Sequence, residues 1–429
     1  MAGNEAPALY LGVDVGTSGV RACACEASGR VHAEAEAPLS GGWGEGGCHE
    51  QEPADWWSGL VTALARLGER IPSASVAGVA VDSTSGTLLL ADGAGQPLGP
   101  ALMYNDCRSR AEAETIGRAG PAESGAHGAT SALAKLLHLH RSGATGEAAF
   151  ALHAADWLTA RLTGVYGVSD ENNALKMGYD PVSRVWPGWV GELVPRRLLP
   201  EVVVPGAPVG ELTAPAAREL GLPAGIPVRA GTTDSVAAFL ATGAGEVGEA
   251  VTSLGSTLAL KVVSDQPVFA PRYGVYSHRL GERWLPGGAS NSGGAVLLQH
   301  FTREELADLT PHLRPEQLTG LDYRPLPGVG ERFPESDPEA EPRLTPRPES
   351  RVTFLQGLLE GIAAIERDGY RRLAELGAPY PANVRTVGGG AKNPAWATIR
   401  HRLLGVPLVE PDHQEAACGT ARLAMGPVA

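Results

Sequence analysis

Residues 11–20 constrain the fold of this chain more than any other stretch. Apolar residues on both sides of a Gly-Thr-Ser-Gly sequence predict a β-hairpin, with Asp14 ending its first strand and Thr17 and Ser18 in its turn. The two glycines of the turn carry no Cβ, so backbone N–H groups can approach an anion closely. A carboxylate such as Asp14 can hold hydrated Mg²⁺ beside phosphate oxygens. The hairpin therefore predicts a site for ATP with Mg²⁺, although such a turn on its own is more often only a hairpin.

The same pattern occurs a second time, at residues 249–263. An apolar strand again leads into a short polar turn, here Gly255, Ser256 and Thr257, and a second apolar strand follows. Repetition of a unit indicates two similar domains, and 429 residues are enough for two domains. The Walker pattern G-x-x-x-x-G-K-[ST] does not occur in the sequence. Two such hairpins therefore predict two similar domains that face each other across a phosphate site, an arrangement that resembles the actin, hexokinase and sugar-kinase group of ATPases.

Composition excludes several classes of partner. A hydrophobic fraction of 43% and a charged fraction of 19% are typical of a soluble globular protein. The net charge of −13, with no basic run, argues against nucleic acid and anionic membranes as partners. No apolar run is long enough to span a membrane, and residues 1–7 have no signal-peptide core. Five cysteines without a C-x-x-C pair favour free thiols and a cytoplasmic location. The sequence predicts no particular oligomeric state.

Polar residues follow two apolar stretches in the first half of the chain. A predicted strand at residues 75–82 ends in Asp82 and runs into a Ser/Thr-rich loop that contains Ser85, and Asp106 follows another apolar stretch. Each sugar hydroxyl needs a hydrogen-bond partner when it leaves water, and hydroxyls and carboxylates at strand ends supply such partners. Ser/Thr-rich loops are also common as simple turns. Asp82, Ser85 and Asp106 are therefore candidate contacts of a polyol, with plain turns as the alternative.

Asp234 stands at the predicted start of a helix whose apolar face includes Val236, Phe239 and Leu240. Asp is a preferred N-cap residue, so one interpretation is a structural cap. The other is a general base held rigidly by the helix, a role that typically contributes about 10²–10⁴ to the rate. The G-x-G-x-x-G pattern at residues 243–248 follows a helix and precedes a strand, which is the reverse of the dinucleotide-binding order.

A glycine-rich turn near the C-terminus predicts a place for a nucleotide. Three glycines, including Gly389 and Gly390, follow an apolar strand, and Asn393 and Trp396 come directly after them. Glycines allow a flat purine or ribose to lie against the backbone. Asn393 can then hydrogen-bond the nucleotide, and Trp396 can stack on its ring.

Three further segments bear on organisation rather than on ligands. The Gly/Pro-rich stretch at residues 221–231 predicts the crossover between the domains, which sets their boundary at 228/229. Residues 325–350, rich in Pro, Glu and Arg, have the composition of a flexible linker. Small residues at 415–421 predict a last helix that lies close to a sheet.

Taken together and in this order, these segments resemble the FGGY family of carbohydrate kinases. The matching segments are 14–18, 50–57, 105–106, 231–235, 255–257, 388–393 and 415–417. The resemblance covers essentially all of the chain, and the joint order is far more specific than any one segment. It implies an α/β fold with two ribonuclease H-like domains, as in actin/hexokinase-type ATPases, and a catalytic cleft between them. The N-terminal domain, 1–228, would bind the sugar, and the C-terminal domain, 229–429, would bind ATP.

The resemblance also implies roles for individual residues. Asp234 would take the proton from the attacking sugar hydroxyl, and Asp14 would assist both the metal and the substrate, with Mg²⁺ held by these two carboxylates. Ser85, Asp82 and Asp106 would contact the sugar together with Asp14 and Asp234. The cofactors implied are ATP and Mg²⁺. The nucleotide would be held by nine residues: Thr17, Ser18, Gly255, Ser256, Thr257, Gly389, Gly390, Asn393 and Trp396.

Within the family, the chain looks most like the short D-ribulose kinases of cyanobacteria and plants. These carry Thr-Ser-Gly-Thr in the loop that corresponds to residues 84–87, whereas xylulokinases typically have Gln-Met-His-Gly there. Tyr104 stands where many relatives have Trp. We therefore expect phosphorylation of the terminal hydroxyl of D-ribulose, with D-xylulose a poor substrate. The alternatives are a D-xylulokinase or another polyol or ketose kinase, and an actin- or chaperone-like ATPase, which would need neither Asp234 nor the polar loop.

Overall fold

The computed structural model describes residues 7–428, which divide into two compact units. The first comprises the chain up to Ala241, together with His278–Gly281 and the segment from Glu415 onward. The second comprises Thr242–Ser277 and Glu282–Gln414. The boundary predicted at 228/229 falls inside the first unit, because the strand that spans it belongs to that unit's sheet and the next helix packs there as well.

Strands and helices are distributed along the whole described chain. The strands are β1 (Leu9–Val15), β2 (Gly19–Glu26), β3 (Val31–Pro38), β4 (Glu50–Gln51), β5 (Val76–Ser83), β6 (Leu88–Ala91), β7 (Ala101–Leu102), β8 (Phe150–His153), β9 (Val168–Asp170), β10 (Glu201–Val203), β11 (Pro208–Glu211), β12 (Pro227–Arg229), β13 (Glu249–Leu254), β14 (Leu258–Val262), β15 (Tyr276–Leu280), β16 (Arg283–Ser290), β17 (Asn383–Val387) and β18 (Leu408–Val409). The α-helices are α1 (Pro53–Gly68), α2 (Arg110–Ala119), α3 (Ala132–Arg141), α4 (Ala154–Thr163), α5 (Glu171–Ala174), α6 (Gly188–Leu193), α7 (Ala214–Leu220), α8 (Asp234–Ala241), α9 (Gly294–Leu298), α10 (Arg303–Leu309), α11 (Arg351–Glu375), α12 (Pro394–Leu404) and α13 (Ala416–Met425). Within residues 7–428, none of these helices combines the length and the apolar character needed to cross a membrane.

The first unit is built on a six-stranded mixed sheet in the order β11-β12-β5-β1-β2-β3. The strands β1, β2 and β3 are antiparallel neighbours, whereas β5 lies parallel to β1 and β12 lies parallel to β5. Nearly every residue of β1 is buried, which explains its almost continuous apolar sequence: a central strand is covered on both faces. The predicted hairpin at residues 11–20 is confirmed as the β1–β2 pair. A smaller sheet, β4-β7-β6-β8, and the parallel pair β9 and β10 also lie in this unit.

The second unit repeats this arrangement with the order β16-β14-β13-β17-β18, and β15, of which only Tyr276 and Ser277 belong to this unit, is the neighbour of β16 at the edge. Its strands β13, β14 and β16 are antiparallel neighbours, and β17 and β18 continue in parallel on the other side of β13. Each unit therefore begins with three antiparallel strands, and the first two of them form the hairpin predicted from the sequence. Later strands of the unit join the sheet in parallel on the free side of its first strand. The predicted α/β fold with two ribonuclease H-like domains is confirmed.

A buried ion pair fixes the second hairpin. Glu366 of α11 and Arg400 of α12 are at most 2% exposed, and the guanidinium donates two hydrogen bonds of 2.6 and 2.7 Å to the carboxylate. Thr252 of β13 donates to the same carboxylate at 2.6 Å. Bidentate, charge-assisted bonds set orientation as well as distance. The pair therefore holds β13, which leads into the turn at residues 255–257, against both helices.

The segment at residues 325–350 is packed, and its interpretation as a flexible linker is wrong. Phe333 is 1% exposed within the core of the second unit. The Glu331 carboxylate accepts hydrogen bonds from the Ser290 hydroxyl at 2.5 Å and from the Asn291 N–H at 2.8 Å. One aromatic ring and one carboxylate thus anchor a segment whose overall composition is that of a linker.

Candidate active site

Three carboxylates lie at or next to the ends of neighbouring strands of the first unit. Asp14 and Asp82 are the next-to-last residues of β1 and β5, and they face each other in the parallel register of these strands. Asp234 is the first residue of α8, and Thr233 just before it forms a bridge with Ser83 at the end of β5. Ligands of open α/β sheets bind beyond the carboxyl ends of the strands. The structure therefore brings Asp14, Asp82 and Asp234 together where a ligand is expected.

Glycines allow the neighbouring helices to lie directly on this part of the sheet. A Cβ at Gly12 of β1 would stand 2.0 Å from the carbonyl oxygen of Ala417 in α13. A Cβ at Gly419 of α13 would stand 1.8 Å from the carbonyl oxygen of Ala237 in α8. Because both obstacles are backbone atoms, no side-chain movement could relieve them. The sequence predicts this close approach from the small residues of the last helix, and the structure confirms it. The packing also fixes α8, which carries Asp234.

Burial makes two of the carboxyl groups weak acids. Asp82 is 0% exposed, and burial, followed by the charges of Asp14 and Asp234, raises its pKa well above the ordinary value. One of its oxygens accepts a hydrogen bond from the Thr420 hydroxyl. Burial also raises the pKa of Asp14, against the opposing effects of Asp82 and of the Arg21 guanidinium 3.3 Å away. A protonated Asp82 beside an ionised Asp14 keeps charge repulsion lowest.

The turn after β1 leaves its hydroxyls available. The backbone carbonyl of Thr17 accepts a hydrogen bond from the Gln51 side chain at 3.2 Å, and that of Ser18 accepts one from the Leu39 N–H at 2.9 Å. These contacts fix the backbone of the turn. Ser18 is exposed and Thr17 is half-buried, so both side chains can meet a ligand.

In the loop after β5, one hydroxyl remains for a ligand. The hydroxyls of Thr84 and Thr87 bond each other at 2.7 Å, and the Ser83 hydroxyl accepts from the Ala155 N–H at 2.9 Å. The Ser85 hydroxyl oxygen is shielded from solvent, yet it has no hydrogen-bond partner within residues 7–428. Buried hydroxyls normally have a partner. Ser85 is therefore the group of this loop best placed to bind a substrate hydroxyl.

The Asp106 carboxylate is fully occupied by its own neighbours. It is 0% exposed, and it accepts hydrogen bonds from the Arg108 guanidinium at 2.7–3.0 Å and from the N–H groups of His49 and Arg108. Burial alone would raise the pKa of Asp106, but these hydrogen bonds together lower it. Arg108 also contacts Glu50 at 2.7 Å. Asp106 thus has no oxygen left over for the sugar contact predicted from the sequence, and the group that it orients is Arg108.

A cavity of about 640 Å³ lies beside the hairpin turn of the second unit. This volume is typical of a site for a small organic ligand. Much of the rest of its wall comes from α9, α10 and α11 and includes Leu298, Arg303 and Leu359. Thr257 does not line it. Six of the predicted nucleotide residues do: Gly255, Ser256, Gly389, Gly390, Asn393 and Trp396.

Asn393 and Trp396 also have structural roles in this wall. Asn393 caps α12 by accepting from the Trp396 N–H at 3.0 Å, and its amide donates to the Thr310 hydroxyl at 3.3 Å. Trp396 is 3% exposed, and its indole N–H donates to the Leu359 carbonyl at 3.1 Å. A Cβ at Gly390 would stand 2.7 Å from the indole ring. Little of the ring is therefore left to stack on a purine, because the glycine turn and α11 cover it.

The residues present fit ATP and Mg²⁺, each within its own unit. The glycines of the cavity allow a nucleotide to approach the backbone, and Lys392 and Arg303 in the wall supply positive charge for phosphates. In the first unit, the Asp14 carboxylate is a hard oxygen donor of the kind that Mg²⁺ prefers, and it would hold the ion.

Several polar groups of this region were not singled out from the sequence. Arg21 faces Asp14 because the two positions pair in the β1–β2 register. That pairing follows from the hairpin itself, so the register could have identified Arg21. The bond from Thr420 to Asp82 and the contact of Arg108 with Glu50 carry no such signal, because in each the two residues lie far apart in the sequence.

Comparison with known proteins identifies the family. Residues 9–241 match the N-terminal domain, and residues 250–426 the C-terminal domain, of the FGGY family of carbohydrate kinases. A xylulose kinase of Streptomyces coelicolor is 30% identical over 99% of this chain and 89% of its own length, and one of Streptomyces rubiginosus is 31% identical with the same coverage. The crystal structure of a xyloylose kinase from Brucella ovis superposes with a TM-score of 0.88 at 26% identity, covering 97% of this chain and 90% of that one. The predicted similarity to D-ribulose kinases in particular is not supported by these relatives. The chain belongs to the FGGY family of carbohydrate kinases, enzymes that use ATP with Mg²⁺.

Proposed function

We propose that this carbohydrate kinase transfers a phosphoryl group from ATP to the terminal hydroxyl of a ketopentose, with D-xylulose as the first candidate. The observation that carries the chemistry is the cluster of Asp14, Asp82 and Asp234 at the strand ends, together with the unpartnered hydroxyl of Ser85 on the neighbouring loop. A polyol supplies the partner that this hydroxyl lacks. The relatives named as xylulose kinases, which match nearly the whole chain, support a ketopentose.

Asp234 is our candidate for the general base. It is partly exposed, and the helix start holds its carboxylate, which accepts a hydrogen bond of 2.7 Å from the Ser235 N–H. Asp82 is unsuited to this role, because burial keeps its pKa high and no surface of it reaches solvent. Asp14 would hold the metal, and Mg²⁺ would neutralise charge on the phosphoryl group during transfer.

The remaining candidate residues divide by unit. Thr17 and Ser18 would face phosphate oxygens from the β1–β2 turn. In the second unit, the glycines of the cavity would lie against the nucleotide. Asn393 and Trp396 would shape that wall rather than recognise the base directly, since their polar groups are already bonded within the chain.

D-Ribulose is the second candidate, favoured by the composition of the loop after β5. D-Xylulose and D-ribulose differ only in the configuration at C3, so the pocket must distinguish them by where that hydroxyl finds a partner. A group left unpaired in a desolvated site costs about 1–3 kcal/mol. In this loop the available partner is the compact hydroxyl of Ser85, which leaves more space than the larger side chains expected in a xylulokinase loop.

The ratio of kcat/KM for the two pentuloses with MgATP tests this proposal. A preference of about tenfold or more for D-xylulose supports the first candidate, and the reverse preference supports D-ribulose. L-Ribulose, erythritol and glycerol serve as comparison substrates. A higher kcat/KM for erythritol or glycerol than for both D-pentuloses would contradict the assignment to ketopentoses, and a higher value for L-ribulose would contradict both D-sugar candidates.

A further inference from the structure

Lys135 is a buried cation that none of the roles above uses. It lies within α3, is 0% exposed, and is one of only four lysines in the chain. Its ammonium donates to the carbonyl oxygens of Gly86 at 2.7 Å and Thr130 at 2.9 Å. Burying a charged amine is costly unless the protein supplies partners for it. Here one partner belongs to the very loop that carries Ser85.

In the loop after β5, the hydroxyls of Ser83, Thr84 and Thr87 are hydrogen-bonded within the chain, whereas that of Ser85 has no partner within residues 7–428. The Thr84–Thr87 hydroxyl pair closes the loop from within, and the Ser83 hydroxyl fixes its start to α4. Lys135 holds the carbonyl of Gly86, the residue next to Ser85. Gly86 has a φ of +85°, in the left-handed region that favours glycine. The loop therefore turns sharply at the residue whose carbonyl accepts the hydrogen bond from Lys135.

Lys135 also interacts electrostatically with the charged side chains of Asp106 and Arg108. Burial lowers the pKa of Lys135 to about 7, while the charge of Asp106 acts to raise it and that of Arg108 to lower it further. His153 at the end of β8 is also influenced by Lys135: burial, with a smaller contribution from the Lys135 charge, lowers the pKa of that imidazole. The ammonium therefore loses its charge at a pH near neutrality, unlike an ordinary lysine.

We propose that Lys135 is a positioning residue for the sugar: it holds the Gly86 carbonyl and so aims the Ser85 hydroxyl at a substrate hydroxyl. Lys135 itself does not touch the substrate. The inference rests on the proposed function, because it assumes that Ser85 binds the sugar. Its signature is a change in sugar affinity with no change in nucleotide affinity.

Lys135→Met tests the role directly, because methionine keeps an unbranched chain and removes the donors. We expect the KM for the pentulose to rise about tenfold, the size expected for losing a buried hydrogen bond, with the KM for ATP unchanged. Lys261→Met is the matched control, since Lys261 is half-buried in β14 of the second unit and does not line the cavity there. An unchanged KM for the pentulose in Lys135→Met would overturn the proposal.

A double-mutant cycle asks whether Lys135 acts through Ser85. If it does, Ser85→Ala should raise the KM for the pentulose in the wild type but have little further effect in Lys135→Met. Additive effects would mean that the two residues act independently, and the proposal would be wrong.

The pH dependence of the wild type gives a readout that does not depend on a variant folding. As the pH rises through about 7, Lys135 loses its charge and its bonds to the two carbonyls weaken, so the KM for the pentulose should rise. The same profile should be flat in Lys135→Met. A pH-independent KM in the wild type would contradict the proposal. If the wild type phosphorylates no pentulose at all, it is the proposed function that fails.

Discussion

At the scale of single residues, the chemistry depends on which carboxyl group carries a proton. Asp82 and Asp14 face each other at the ends of parallel strands, and only Asp14 has a cation, Arg21, in contact with it. Asp234 is more exposed than either. These different environments suit the three roles proposed above for chemically identical side chains: Asp82 as the carboxyl that keeps its proton, Asp14 as the metal ligand and Asp234 as the base.

Replacing Asp234 by Asn should lower kcat at least about 10²-fold, the usual contribution of a general base. The affinity for ATP should stay near that of the wild type, because Asp234 does not line the nucleotide cavity. Steady-state kinetics with both substrates checks this. Asp265→Asn, at an exposed position of the second unit, is the control and should leave kcat unchanged. A near-normal kcat in Asp234→Asn would show that Asp234 is not the general base and has only a structural role at the start of α8.

Asp82→Asn should reveal the buried proton through stability. Native Asp82 keeps its proton at pH values at which the unfolded chain has released it, so the unfolded state binds fewer protons. The free energy of unfolding of the wild type therefore falls as the pH rises above about 4. Asparagine removes this loss. The free energy of unfolding of Asp82→Asn relative to the wild type should therefore increase between pH of about 4 and 7. Denaturant titrations at several pH values measure it. A difference that does not vary with pH would show that Asp82 is ionised in the fold.

At the scale of elements, the site depends on how closely α13 and α8 approach each other and β1. Gly419 and Gly12 permit backbone contacts that any side chain would block. These contacts hold α13, whose Thr420 bonds Asp82, and α8, which begins at Asp234.

Gly419→Ala should therefore cost both stability and activity. Its Cβ would collide with the Ala237 carbonyl, and overpacking of this kind typically costs about 1–3 kcal/mol or more. Because α8 would have to move, kcat should fall more than stability alone would explain. Gly68→Ala is the matched control: Gly68 is also in a helix, but a Cβ there meets nothing within 4 Å. Equal behaviour of the two variants would contradict this role for the packing.

The sequence predicts correctly those elements that depend on residues close together in the chain. Both hairpins, the helix start at Asp234 and the close approach of the last helix follow from apolar runs, glycines and small residues. The bond from Ser290 to Glu331, the bond from Lys135 to Gly86 and the contact of Arg108 with Glu50 could not be predicted, because in each the partner lies tens of residues away in the sequence. The burial of Trp396 could not be predicted either. A ring next to a glycine turn can stack on a ligand or pack into the core, and the sequence does not show which of the two occurs.

At the scale of the whole molecule, each unit carries a distinct set of candidate groups. The first holds the carboxylates and the Ser85 loop, and the second holds the cavity with Gly255, Gly389 and Gly390. Substitutions in the two units should therefore affect different substrates.

Gly389→Val tests this separation. A Cβ at Gly389 meets nothing within 4 Å, so the change should be tolerated by the fold, yet it adds bulk to the wall of the nucleotide cavity. We expect the KM for ATP to rise about tenfold or more, with the KM for the pentulose and the melting temperature nearly unchanged. Ser85→Ala should show the opposite split. A rise in the pentulose KM alone in Gly389→Val would contradict the assignment of the cavity to the nucleotide.

The most direct measurement is the release of ADP from MgATP by the purified protein, with and without D-xylulose or D-ribulose. A carbohydrate kinase whose site lies at Asp14, Asp234 and Ser85 should form ADP only when a sugar is present, with one sugar phosphate per ADP, and Asp234→Asn should abolish the reaction. ADP release at the same rate with or without any sugar, or no release with any ketopentose or polyol, would contradict the assignment.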